Sequence, residues 1–152
     1  MDAKQLHKLN KINELRVRRL EKELAESKVK LLEACDKVVK RDGEIKKINS
    51  ETGELISYLT HEKVMSSPTK REHVHIRRFW LNYDLEMHEY YYNQEVDEKN
   101  EADLNHKKTS KLWNKQKLKT EKLSKIHKSL INADNIRHES MEDEENQESS
   151  IK

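Results

Sequence analysis

Apolar residues recur every seven positions along the first part of the chain. One series has a single polar member and consists of Val17, Leu24, Leu31, Val38, Ile45, Thr52 and Leu59. A second series lies between its members and consists of Leu20, Ser27, Ala34, Arg41, Ile48 and Leu55. Two interleaved series of this kind are typical of a coiled coil, in which a helix packs one narrow stripe against a partner helix. The pattern predicts a helix over about residues 3–62 with a second helix packed along it.

The apolar stripe continues towards the N-terminus with a different spacing. Its members there are Leu6, Leu9, Ile12 and Leu15. This spacing predicts that the helix begins within the first few residues and that its stripe changes phase before Val17.

The strongest break in the helical pattern is the dipeptide Ser67-Pro68. Serine is a favoured residue immediately before a helix, and the fixed φ of proline suits the first helical position. We therefore expect a loop over about residues 63–69, where the chain turns back, and a second helix over about residues 70–132.

The second helix has its own apolar stripe. Its members are Ile76, Trp80, Tyr83, Met87 and Tyr90, then Leu104, and, after a one-residue stutter, Leu112, Leu123, Ile126 and Leu130. This stripe is predicted to face the first helix. The expected fold is all-α: a long antiparallel two-helix coiled-coil hairpin over residues 1–133, with each helix about 90 Å long at 1.5 Å per residue.

The last residues, 134–152, are acidic and have no helical apolar stripe. Segments of this composition bury too little apolar surface to offset the entropy of ordering, so the sequence predicts a disordered acidic tail.

Composition narrows the functional classes. Charged residues make up 39% of the 152 residues, and two glycines and one proline are too few for the turns of a compact α/β or β fold. No apolar run approaches the roughly 20 residues of a membrane span. The single cysteine, Cys35, has no second thiol to pair with. We therefore expect a cytoplasmic, non-enzymatic protein that is not inserted in the membrane.

Charge is segregated along the second helix. Residues 84–103 carry eight acidic residues and one lysine, whereas residues 105–129 carry nine lysines and one glutamate. In a hairpin the acidic stretch would lie beside basic residues of the first helix, among them Arg41 and Lys46. The lysine stretch would lie beside further basic residues, among them Arg16, Arg18 and Arg19. The uncompensated positive charge indicates either an acidic partner or the chain's own acidic tail.

No residues form a recognisable catalytic, cofactor-binding or metal-binding pattern. Nucleic-acid binding is not expected either, because the lysine stretch contains no arginine and only one aromatic residue, Trp113, while the net charge is only +2. Exposed aromatic residues are common anchors at interfaces, so the cluster around Phe79 and Trp80 is either a docking site or packed flat on the hairpin.

Several stretches of the chain resemble a known family. Near the N-terminus, Leu6-His7-Lys8 followed by Leu15-Arg16-Val17-Arg18-Arg19-Leu20-Glu21-Lys22 resembles the start of the YscO/HrpO (SctO) family of type III secretion stalk proteins. In the second helix, Trp80-Leu81-Asn82-Tyr83 is similar to a stretch of the related flagellar protein FliJ. The acidic tail also resembles the ends of YscO members.

The resemblance implies a stalk at the cytoplasmic base of the secretion apparatus, between the hexameric secretion ATPase and the export gate protein. Some members bind secretion chaperones, and some are themselves exported. The residues expected to contact the ATPase ring are Arg16, Arg18, Arg19, Lys115, Lys119 and Lys122, and those expected to contact the gate or a chaperone are Phe79, Trp80 and Tyr83. The alternatives are an escort module for secretion chaperones and a generic coiled-coil scaffold.

Overall fold

The fold consists of two long helices and one short helix. The computed structural model describes residues 2–151, apart from the side chain of Glu62. Helix α1 spans Ala3–Leu59, helix α2 spans Glu62–Met65 and helix α3 spans Pro68–Ile151. No strand occurs in the described part of the chain. The predicted all-α class is therefore confirmed, although α1 ends three residues earlier than expected, α2 overlaps the predicted loop, and α3 begins two residues earlier than expected and continues to Ile151.

Helix α3 begins where the sequence predicted a new helix. The backbone N–H of Arg71 donates to the carbonyl oxygen of Ser67 at 3.1 Å, so Ser67 accepts the first hydrogen bond of the helix. Pro68 occupies the first helical position, where its missing N–H costs no hydrogen bond.

The two long helices pack against each other in two compact units. One unit comprises Met1–Glu26 and Lys107–Lys152, and the other comprises Ser27–His106. Within the second unit, successive contacts join Ser27 to His106, Arg41 to Glu95 and Glu51 to Arg77. Since later residues of α1 meet earlier residues of α3, the helices of this unit run antiparallel.

The covered face of α1 is the one that the sequence predicted. Every member of the two seven-residue series from Val17 to Leu59 is buried or half-buried. Ala34 is the most deeply buried of them. Because these positions alternate in steps of three and four residues, they form one stripe along α1 that contacts α3.

The predicted change of phase near the N-terminus is wrong. Ile12 and Leu15 are 48% and 62% exposed, whereas Asn10 and Asn13 are buried. Leu6, Asn10, Asn13 and Val17 continue the same seven-residue phase as the rest of α1. An uninterrupted helix keeps its phase unless its winding changes. Because α1 is continuous, Asn10 and Asn13 face α3, although the sequence suggested that Ile12 and Leu15 would do so.

Asn13 is fully buried, with 0% exposure. Its Oδ1 atom accepts a hydrogen bond from Nε2 of Gln116 at 3.1 Å, which joins α1 to α3. Asn13 Nδ2, Asn10 Oδ1 and Trp113 Nε1 are also buried but have no hydrogen-bond partner. Unsatisfied polar groups of this kind lower stability, while polar residues in a helical seam restrict the register in which two helices pair.

The prediction that the apolar stripe of α3 faces α1 is also wrong. The large side chains of Ile76, Trp80, Tyr83, Met87 and Tyr90 are all exposed. The same holds for the later members Leu104, Leu112, Ile126 and Leu130, and only Leu123 is half-buried. For most of these residues a side chain two positions away is covered instead, and two residues correspond to a rotation of about 200° around a helix.

The covered stripe of α3 runs without a stutter from Val74 to His127. Its members include Val74, Leu81, Leu85, His88, Tyr92, Glu95, Lys99, Ala102, His106, Thr109, Trp113, Gln116, Thr120, Leu123 and His127. The prediction was wrong because many of these covered side chains are polar. Hydrophobicity favoured the stripe that is exposed, whereas α1 covers the more polar stripe. The apolar stripe of α1 is thus packed against a largely polar face.

The segment predicted to be a disordered tail is helical in the structure. Helix α3 continues to Ile151, and every described residue from Lys128 onward is exposed. The segment contains no glycine or proline and is rich in glutamate, which has a high helix propensity. The sequence correctly indicated that this segment has no packing stripe, but absence of packing did not prevent helix formation.

A pair of matched substitutions distinguishes the covered and exposed faces of α3. Leu81→Lys should lower the free energy of unfolding by about 3 kcal/mol, because a charge replaces a side chain packed against α1. Leu104→Lys should change it by less than about 0.5 kcal/mol, because Leu104 is 67% exposed. Urea unfolding followed by circular dichroism measures both. Equal losses for the two variants would contradict the assignment of the covered face.

The buried amide pair of Asn13 and Gln116 should limit stability. The double substitution Asn13→Leu with Gln116→Leu should raise the free energy of unfolding by about 1 kcal/mol, because it removes the unsatisfied Nδ2 group of Asn13 together with its half-buried partner and adds apolar surface to the seam. Asn13→Leu alone should give less, since it leaves Gln116 without its partner. Thermal unfolding of both variants provides the measurement, and a less stable double variant would disprove this reading.

Candidate interaction surfaces

A cluster of basic residues lies on the unit that contains the N-terminal part of α1. We define the basic cluster as the six residues predicted to contact a ring: Arg16, Arg18, Arg19, Lys115, Lys119 and Lys122. All six are exposed, and all belong to the same compact unit. Three come from α1 and three from α3, so the cluster exists only when the two helices pair.

The hydrogen bond between Asn13 and Gln116 aligns the two halves of the basic cluster. Arg16 lies about one turn after Asn13 in α1, while Lys115 and Lys119 lie within one turn of Gln116 in α3. Arg19 forms an ion pair with Glu23 of its own helix at 3.2 Å. Because the Arg19 side chain is 81% exposed, this pair contributes little to stability and leaves the guanidinium accessible.

The acidic tail does not neutralise the basic cluster by packing on it. All described residues from Lys128 to Ile151 are exposed along the continuation of α3, so their acidic side chains are not buried against another part of the unit. The lysine stretch 105–129 meanwhile has nine lysines and one acidic residue. Packing of the acidic tail therefore does not account for the uncompensated positive charge of this stretch.

The predicted aromatic contacts lie together on the exposed side of α3. Phe79, Trp80 and Tyr83 are all at least half exposed. The rings of Phe79 and Trp80 are 5.6 Å apart at 81°, and those of Trp80 and Tyr83 are 6.0 Å apart at 80°. Both pairs have edge-to-face geometry, which is favourable for aromatic rings and leaves much of each ring surface in water. Exposed aromatic groups of this kind are typical of protein-binding surfaces.

The same face of α3 extends beyond these three rings. Ile76, Met87 and Tyr90 are also exposed, and a shallow groove runs along the helix surface from Pro68 to Trp80. The sequence proposed Phe79, Trp80 and Tyr83 as candidates for docking, but it also assigned Trp80 and Tyr83 to the seam with α1. The structure separates the two roles, since neither residue is needed for packing against α1.

Arg41 is the centre of the largest polar contact between α1 and α3. Its guanidinium donates to Glu95, with a shortest distance of 2.9 Å, and the side chains are 24% and 15% exposed. It also lies 2.9 Å from Nδ1 of His88 and 5.2 Å from the ring centre of Tyr91. The hydrogen bond with Glu95 is the main cause that raises the pKa of Arg41, so Arg41 remains positively charged at neutral pH.

This network partly confirms the expected pairing of the acidic stretch of α3 with basic residues of α1. Arg41 was expected to lie beside that stretch and contacts Glu95 directly. Lys46 was expected there too, but it pairs with Asp42 of its own helix at 2.9 Å. That hydrogen bond raises the pKa of Lys46. The sequence did not single out Glu95 or Asn13, although both follow from continuing the correct seven-residue phase along each helix.

The described residues include no group of three or more His, Cys, Asp or Glu side chains arranged to hold a metal ion. Cys35, which the sequence placed beside the seam, is half-buried and has a free thiol. Over residues 2–151, no helix combines the length and the apolar character that crossing a bilayer would require.

Comparison with family models, with curated proteins and with solved structures gave no match in any of the three searches. The features that bear on function are therefore the basic cluster, the exposed aromatic residues of α3 and the sequence motifs that contain them.

The contact between Arg41 and Glu95 makes a double-mutant cycle informative. Arg41→Leu should lower the free energy of unfolding by about 2 kcal/mol, because it leaves the half-buried Glu95 carboxylate unpaired. Combining it with Glu95→Leu should restore most of that loss, since two apolar residues then meet in the seam. Urea unfolding of both single variants and the double variant measures the coupling. Additive losses would contradict a direct interaction.

Proposed function

We propose that this chain is a non-enzymatic stalk of a type III secretion export apparatus. In this proposal the two long helices form a coiled-coil hairpin. The basic cluster binds the hexameric secretion ATPase, and the exposed aromatic residues bind the export gate protein. The stalk links the two and promotes substrate export at the cytoplasmic base of the apparatus.

The observation that carries the proposal is the exposure of the residues in the family-like motif. In the stretch from Leu15 to Lys22, only Val17 and Leu20 are covered by the partner helix. The remaining positions, including the three arginines, face solvent. Two covered positions in eight is the usual proportion in a coiled coil, so packing alone does not account for three arginines within residues 16–19. Their exposed positive charge suits recognition of an acidic protein surface.

The second family-like stretch also combines a covered residue with exposed ones. In Trp80-Leu81-Asn82-Tyr83, Leu81 is buried and packs towards α1, while the other three residues are exposed. The leucine therefore accounts for packing, and the two aromatic residues remain available for a partner. This supports a protein-docking role for the second stretch without requiring any change in helix packing.

Charge reversal of the arginines tests the proposed contact with the ATPase. The triple substitution Arg16→Glu, Arg18→Glu and Arg19→Glu should abolish stimulation of the purified secretion ATPase, because like charges would then face each other at the contact. Helicity should remain unchanged, since all three side chains are exposed. ATP turnover and circular dichroism provide the two measurements.

A matched control for this experiment lies in the other unit. Lys37, Lys40 and Lys47 are exposed residues of α1, and changing all three to glutamate alters the net charge by the same amount. This control should stimulate the ATPase as the natural sequence does. Normal stimulation by the arginine variant would refute the proposed ring contact.

A second candidate function is that of an escort module for secretion chaperones. The exposed rings of Phe79, Trp80 and Tyr83 favour it, because they offer an apolar anchor for a partner protein. Copurification separates the candidates: retention by the ATPase supports the stalk, and retention by a chaperone alone supports the escort. A generic scaffold would be retained by neither.

A further inference from the structure

The exposed stripe of α3 has the geometry of a second helix-packing seam. We define this outer stripe as Ile76, Trp80, Tyr83, Met87 and Tyr90. Its members alternate in steps of four and three residues, the spacing that keeps a set of side chains facing one partner helix. Each lies two residues after a position in the register of the covered stripe, and therefore about 200° around the helix from it. Helix α1 leaves this seam unoccupied.

The charges beside the outer stripe change sign near its middle. Before it, the basic residues at flanking positions are Lys70 and Arg77, with Glu72 the only acidic one. After it, the flanking positions hold Asp84 and Glu86 and no basic residue. A surface with this arrangement is complementary to itself when two copies meet antiparallel, because the basic half of one copy then faces the acidic half of the other.

We propose that two copies of this chain associate antiparallel through the outer stripe of α3. Seam residues of antiparallel helices meet in layers, which places Trp80 against the partner subunit's Tyr83 and Ile76 against the partner subunit's Met87. The flanking position of Arg77 then faces the partner subunit's Asp84. The two-fold axis generates each of these contacts twice, with the aromatic layers at the centre of the interface.

The structure leaves Arg77 available for this contact. Its present ion pair with Glu51, at 3.1 Å, joins side chains that are 58% and 52% exposed. Such a pair contributes little to stability. A parallel arrangement of the two copies would place the basic halves beside each other and the acidic halves beside each other, so charge favours the antiparallel one. This inference does not depend on the proposed function in secretion.

Charge reversal tests both the surface and its orientation. Arg77→Glu and Asp84→Lys, each made alone, should raise the dissociation constant of the dimer at least about tenfold, because each variant brings like charges together in both symmetric pairs. An equal mixture of the two variants should recover association, since each altered residue then faces an opposite charge. Sedimentation velocity over a range of concentrations measures the mass of each species.

A control substitution on another face excludes a general effect of net charge. Glu89→Lys makes the same change in charge as Asp84→Lys, but residue 89 lies outside the positions that flank the outer stripe. This variant should associate as the natural sequence does. Circular dichroism should show all variants to be as helical as the natural chain, because residues 77, 84 and 89 are exposed.

Three results would overturn the proposal. The first is a natural chain that sediments as a monomer at every concentration. The second is a dimer that neither single substitution weakens, which would place the interface elsewhere. The third is a mixture that stays monomeric although both variants are helical, because antiparallel pairing requires the two altered residues to meet.

Discussion

The arrangement of the molecule depends on the unbroken phase of the stripe on α1. Along Ala3–Leu59 the covered positions keep one alternation of three and four residues. This alternation determines which side chains meet α3, whether they are apolar or not. It explains why Asn10 and Asn13 are buried while Ile12 and Leu15 are exposed. A continuous helix cannot turn individual side chains towards its partner without changing its winding, so geometry takes precedence over hydrophobicity at these positions.

The face of α3 that packs against α1 therefore contains many polar side chains. Glu95 pairs with Arg41, His106 is hydrogen-bonded to Ser27, and Gln116 is bonded to Asn13. Polar contacts contribute less to stability than the same area of packed apolar surface, but they distinguish one register from its neighbours. These contacts restrict the pairing of α1 with α3, while the apolar stripe with the larger side chains is left on the outside of α3.

The exposed charged and aromatic side chains that could bind a partner are therefore concentrated on two surfaces. The basic cluster combines side chains from both helices, and the acidic tail does not pack over it. The outer stripe presents aromatic rings that α1 does not cover. The first surface supports the proposed contact with the secretion ATPase. The second supports a contact with a gate protein or chaperone, and its self-complementary charge supports association of two copies. Binding of a second copy would compete with any other partner that uses the same rings.

The sequence by itself determined the helical class, the approximate start of α3 after Ser67 and the covered face of α1 from Val17 to Leu59, because proline position and a regular seven-residue series are local properties of the chain. It also identified the exposed arginines, lysines and aromatic residues as candidates for binding. Only the tertiary structure decided which face of α3 meets α1. That helix has two stripes about 200° apart, one rich in aromatic residues and one rich in polar residues. Hydrophobicity favoured the aromatic stripe as the face that packs against α1, but the pairs of Arg41 with Glu95 and of Asn13 with Gln116 involve the polar stripe. Such pairs join residues far apart in the chain, so no local pattern reveals them.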